Sequence, residues 1–207
     1  MHPRRRALLE LLRDDHPEVR GRAAEALDRL DLLERLPRAV RGLGVLDREG
    51  WVCLMRPLVD VRDETALRIA LRALEHQEAD VRVAALEVIE AFADWRATPR
   101  VLERLGDPDP VVRARAAAAL GVLGDRRAAG SLARLLDDGS PEVAAQAARA
   151  LGRLGNSAAE PGLLRAARRE DPEVRAAAAE ALGRLGLRSP GGGTRGDGSR
   201  GPGGPPT

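Results

Sequence analysis

Apolar residues recur along this chain on two scales. Within short segments they fall three and four residues apart, so that Val112, Ala116, Ala119, Leu120 and Leu123 line one face of a helix. The same face returns as Val143, Ala147, Ala150, Leu151 and Leu154, and again as Val174, Ala178, Ala181, Leu182 and Leu185. Across the chain, the valines Val81, Val112, Val143 and Val174 stand 31 residues apart, and Val19 sits two such periods before Val81. A unit of that length holds two helices and a turn, too little to bury an apolar face except against copies of itself. The pattern predicts an all-α fold, an α-solenoid of about six stacked antiparallel helix pairs, near residues 1–30, 31–61, 62–93, 94–124, 125–155 and 156–187.

Start and stop signals sharpen the later copies. Asp109-Pro110, Ser140-Pro141 and Asp171-Pro172 each set a capping side chain before a proline at the first helical position, and Gly155 ends a helix. The second repeat departs from the rest. Its second helix, about 48–61, replaces small alanines by Trp51, Leu54 and Met55 and carries Pro57. Residues 188–207 are dense in Gly and Pro without apolar periodicity, which predicts a disordered tail.

Composition narrows the chemistry. Tyr is absent and Phe92, Trp51 and Trp95 are the only aromatics, so the core must be built from Ala, Leu and Val. All 34 basic residues are arginine, set against 32 acids. The formal net charge of +2 is accounted for by Arg188, Arg195 and Arg200 against Asp197, which leaves the repeats neutral. A neutral solenoid argues against a broad nucleic-acid footprint. Cys53 stands alone, which excludes an intrachain disulfide and fits a cytoplasmic setting. The opening "MHPRRRALLELLRDD" is interrupted by Glu10 and Arg13 and reads as an amphipathic helix rather than an export signal. No apolar run approaches the roughly 20 residues of a membrane span.

The segments "DPDPVVRARAAAALGVLGD", "DGSPEVAAQAARALGRLGN" and "EDPEVRAAAAEALGRLG" resemble HEAT-like repeats of the subtype named for phycobilisome lyases. The resemblance covers nearly all of 1–187 and is strongest over 94–187. It implies second helices on the concave side, service as a protein-binding scaffold, and a structural ladder of turn acids and second-helix arginines. The matching turn positions are Asp14, His76, Asp107, Asp138 and Arg169; the matching arginines are Arg20, Arg82, Arg113 and Arg175, with Ala144 breaking the row. The gap at Ala144 and the charge reversal at Arg169 lead us to expect a looser C-terminal end.

Candidate chemistry is thin. His2, His16 and His76 are too few and too scattered for a metal site, and the chain has no CxxC, phosphate-cradling loop or nucleophile elbow. Paired acids such as Asp14-Asp15 and Asp137-Asp138 fall in turns, where burial cannot raise a carboxyl pKa. We therefore expect no active site, no metal and no cofactor. Two enzyme alternatives follow from resemblance alone: a bilin lyase or lyase subunit, and a HEAT-like DNA-binding or DNA glycosylase protein.

A binding surface should instead occupy second-helix columns that change chemically from repeat to repeat. These place candidate partner contacts at Trp51, Leu54, Arg115, Ala118, Val122, Gln146, Arg149, Arg153, Glu180 and Arg184. Arg115, Arg149 and Arg153 would rim an apolar Ala118/Val122 patch suited to an acidic, hydrophobic peptide. Trp51 and Met55 either fill space opened by the Pro57 distortion, or Trp51 is an anchor of the type enriched at hot spots. The last helix is as regular as the internal ones, so its outer side calls for a cover, either part of the tail or another copy of the chain, and the second implies end-to-end homodimerisation or homodimerisation through the C-terminal repeat.

Overall fold

The computed structural model describes residues 3–42, 46–61 and 63–186, among which there are eleven α-helices and no strand. They are α1 (Pro3–Leu11), α2 (Pro17–Gly42), α3 (Arg48–Leu58), α4 (Glu64–Ala73), α5 (Ala79–Phe92), α6 (Thr98–Glu103), α7 (Pro110–Leu123), α8 (Ala129–Leu135), α9 (Pro141–Leu154), α10 (Glu160–Ala166) and α11 (Pro172–Gly186). The tail expected to be disordered lies outside the described residues.

Helix ends follow columns of the repeat. Asp109 caps α7 by accepting the N–H of Val111 at 2.8 Å, and Asp171 caps α11 through Glu173 at 2.9 Å. Ser140 does not cap α9 with its hydroxyl; its own N–H donates to Asp138 at 2.8 Å. Gly124 and Gly155 close α7 and α9 in the left-handed conformation at φ 72° and 64°, and Ala93 is held at φ 54° in the same column after α5. A further column, Asp63, Asp94, Asp125 and Asn156, accepts backbone N–H groups at the start of each first helix or the 3₁₀ turn leading into it. It obeys the 31-residue period and marks where each repeat begins.

Both columns fail at one junction, and the fold changes there. Residue 31 is Asp where the later repeats have Gly124, Gly155 and Gly186, and residue 32 is Leu where they have an Asp or Asn cap. With neither a stop nor a restart, α2 runs unbroken for 26 residues across the boundary expected near residue 30. Asp31 is instead paired with Arg5 of α1. The second-helix position of repeat two is taken by α3, which packs against α5.

Small residues set the spacing. A Cβ on Gly121 would stand 2.9 Å from the Cα of Ala150, and one on Gly152 would stand 2.8 Å from the Cα of Ala181, so α7, α9 and α11 are in backbone contact. The short first helices α6, α8 and α10 meet one another only marginally. The second helices are therefore the more tightly spaced layer. Between the layers lie Val112, Leu120, Leu132, Leu136, Val143, Leu151 and Leu163, all buried among alanines.

Candidate interaction surface

Two arginines of the expected ladder, Arg82 and Arg113, each do two things. Arg82 donates through Nη1 to the carbonyls of His76 and Gln77 in its own turn, at 2.8 and 2.7 Å. Its Nε and Nη2 meanwhile form a fork on Asp107 of the next turn at 2.8 and 2.7 Å, with both side chains buried. Arg113 repeats this, holding Asp107 and Pro108 carbonyls and forking onto Asp138 at 3.0 Å. Arg20 and Arg175 hold, among the described residues, only their own turns, through the carbonyls of Asp14 and Asp15 and of Arg169 and Glu170. Asp14, Asp107 and Asp138 each also accept the N–H two residues on, and His76 does the same through Nδ1. That shared backbone role explains a histidine in an acidic column.

The expected looseness at Arg169 is not what the structure contains. Ala144 is fully buried, and Arg169 reaches backward to the carbonyls of Leu136 at 2.7 Å and Asp138 at 3.1 Å. The rung is reversed in direction rather than missing.

Electrostatics of the turns follow from these forks. Burial alone would raise the Asp138 carboxyl, but hydrogen bonds from Arg113 and the Ser140 N–H outweigh it and hold the pKa below the usual carboxylate value. Arg113 is raised in turn, chiefly by its hydrogen bonds to Asp138. Asp125 lies at about 2, principally because Arg127 donates to it through both Nε and Nη2. These groups hold the turns of the stack together.

The changing columns fare unevenly. Trp51 is 5% exposed, belongs to the core cluster with Met55 and Leu58 and has its ring centroid 5.8 Å from that of His76, so it fills the core and is no surface anchor. Small alanines at this position would leave a void beside His76. Leu54 is half-buried against the same core. Arg115 pairs with Glu87 of α5 at 3.2 Å, and Arg149 with Glu173 of α11 at 3.0 Å, so both arginines bridge neighbouring second helices. Val122 and Arg153 are exposed, and Glu180 and Arg184 pair with each other at 2.7 Å on α11.

Two hollows open on the second-helix face. One, of about 100 Å³, lies between α7 and α9 and brings together Arg115, Ala118 and Gln146 with Val111, Ala114 and Glu142. Val122, Arg149 and Arg153 do not line it, so the expected apolar patch with three rim arginines is not assembled as one unit. The other, of about 310 Å³, lies between α3 and α5 and is lined by Val52, Cys53, Met55, Arg56, Val59, Ala84 and Glu87. The 31-residue columns do not reveal it, because α3 departs from the repeat, with Trp51, Leu54, Met55 and Pro57 in place of small alanines. Val52 and Val59, both exposed, stand three residues before and four residues after buried Met55, and that helical spacing was the available signal. Among the described residues no His, Cys, Asp or Glu cluster has metal-ligating geometry, and no helix is long and apolar enough to cross a membrane.

Stacked antiparallel helix pairs, a second-helix layer in backbone contact and an inter-turn ladder define an α-solenoid repeat protein. The family models for HEAT repeats match residues 64–140 and 129–191, with a further single HEAT repeat at 5–31, and the chain belongs to the HEAT-repeat family. Among solved structures it is similar to a designed armadillo repeat protein in complex with the peptide (KR)4, at 18% identity and TM-score 0.59, covering 89% of this chain and all of that one. It is also similar to the complex of CpcE and CpcF of phycocyanin lyase from Nostoc sp. PCC7120, at 22% identity and TM-score 0.57, covering 88% of this chain and 65% of that one. An engineered protein matches at 20% identity and TM-score 0.52 over 90% of this chain and 98% of that one. At these identities the likeness is one of fold. No curated protein matches the chain.

Proposed function

We propose that this chain is a non-enzymatic, cytoplasmic scaffold that binds a partner protein or peptide on its concave second-helix surface. The observation that carries this is the hollow between α3 and α5. Its exposed Val52 and Val59 and its buried Met55 offer apolar contact, with Arg56 and Glu87 beside them to fix orientation. An apolar floor with a mixed polar rim suits a helix or extended peptide carrying alternate apolar side chains. The neighbouring α7/α9 hollow continues the same face with Arg115 and Gln146. Support by likeness comes from a designed repeat protein that is in complex with a peptide and from two lyase subunits that are in complex with each other.

The test is affinity capture from the native host with the wild-type chain and a Val52→Glu/Val59→Glu variant, followed by titration of the captured partner against both. Both valines are exposed, so the fold should persist, and binding should weaken by about tenfold or more as apolar contact is replaced by charge. Equal binding by the two chains would remove the α3/α5 surface from the function. A chain that instead copurified with a tetrapyrrole and lacked a protein partner would favour the bilin-lyase alternative.

A further inference from the structure

We propose that this chain associates head to tail with further copies of itself, the outer face of α11 receiving the first repeat of the next copy. The surface is separate from the concave one and does not depend on it.

Among the described residues, nothing occupies the outer stacking face of α11. Ala145, Ala148 and Gly152 of α9 are buried beneath α11, whereas their counterparts one period on, Ala176, Ala179 and Gly183, are exposed. A Cβ on Gly121 or Gly152 would meet an alanine Cα at 2.9 or 2.8 Å, but one on Gly183 would meet nothing within 4 Å. Arg175 holds its own turn through Nη1 as Arg82 and Arg113 do, yet no described residue accepts its Nε or Nη2. Residues 189–207 lack the apolar period that would build another helix pair on this face.

The first repeat carries the complement in register. Counted on by six periods, Asp14 of a following copy lies 25 positions after Arg175, the separation of Arg82 from Asp107 and of Arg113 from Asp138. Asp14 already accepts the N–H of His16, the local geometry in which Asp107 and Asp138 present their carboxylates. Ala26 falls where Ala150 and Ala181 meet Gly121 and Gly152, and so would seat on Gly183. Arg22 falls where Arg115 pairs with Glu87, and its partner position is Glu180, which the exposed Arg184 of the same helix also holds. Arg22 is exposed and Asp14 and Ala26 are only half-buried, so this side of the first repeat is open. Three complementary pairs in one register, two of them charged, select a second copy over an arbitrary helix. Because the two faces differ, the contact is heterologous and continues from copy to copy as a filament or closes as a ring.

The experiment is sedimentation velocity of the full chain over a concentration series, with Gly183→Leu to block the α11 face and Arg22→Glu to oppose Glu180. Neither residue makes a described contact that folding needs, and far-UV circular dichroism checks that helicity is kept; Asp14→Arg serves as a second block on the first repeat. The wild-type mass should climb past a dimer with concentration, each variant should stay monomeric, and an equal mixture of the two variants should stop at a one-to-one pair. That pair forms because each variant retains one intact face. A wild-type chain monomeric throughout overturns the proposal. So does an Arg22→Glu variant that still dimerises, which would mean a symmetric C-terminal contact. Association that appears only once residues 188–207 are removed would assign the face to the tail and overturn it equally.

Discussion

Gly152 lies so close to Ala181 that a single methyl group on it would stand 2.8 Å from the Ala181 Cα, while Gly183, the same position one repeat on, has nothing within 4 Å. One residue type in one column thus has opposite consequences inside the stack and at its end. Gly152→Ala should destabilise the chain by about 1–3 kcal/mol, because helix backbones rather than a flexible side chain must move. Gly183→Ala should be neutral or stabilise by up to about 1 kcal/mol through helix propensity. Urea unfolding of the two variants at low protein concentration, where self-association is minimal, makes the comparison.

Arg82 and Asp107 are the most enclosed pair of the ladder, with side chains 8% and 2% exposed. Asp107→Ala strands a buried guanidinium and should cost about 3–5 kcal/mol. Asp138→Ala should cost less, since Arg113 is 20% exposed and regains water when its partner is removed. Denaturation midpoints of the two variants test the order, and an equal loss would mean that burial does not set the strength of a rung.

Asp125, at about 2, and Asp138, also lowered, both bind protons less readily folded than unfolded. The unfolded chain takes up protons near the ordinary carboxylate value of about 3.9, so their contribution is fully present above about pH 5 and is lost as the pH falls towards 2. Stability by chemical denaturation should be flat from neutral pH to about 5 and then decline. Asp125→Asn should lower the neutral plateau and flatten the acid decline; an unchanged slope would show that Arg127 does not hold this carboxylate in solution.

The two tryptophans should separate cleanly. Trp51→Ala empties a buried site and should cost about 3–5 kcal/mol. Trp95 is 60% exposed with Arg127 over its ring at 5.8 Å, and Trp95→Ala should cost no more than about 1 kcal/mol. Thermal melts of each variant, with emission maxima reporting a shielded Trp51 and a solvated Trp95, provide the check.

Much of the architecture was legible in the chain because stacking is periodic. The apolar face headed by Val81, Val112, Val143 and Val174 and the arginine forks at Arg82 and Arg113 each repeat a local instruction at one spacing. The cap column at Asp63, Asp94, Asp125 and Asn156, and its failure at Leu32, were equally present in the residues and account for the fused α2.

The surface was less legible, because exposure and pairing there depend on how separate helices are set against one another. Arg149 meets Glu173 and Arg115 meets Glu87 across helix boundaries, so arginines that stand free in a column are engaged in the fold. Arg169 reverses a rung because its guanidinium reaches the Leu136 carbonyl, a distance that no single repeat encodes. Residue order alone therefore determined the solenoid, its period and its ladder, since each copy buries itself by the same local contacts. Only the packed helices decided that Trp51 belongs to the core, that the α3/α5 hollow is open and that Gly183 is bare, since each depends on which neighbour is present.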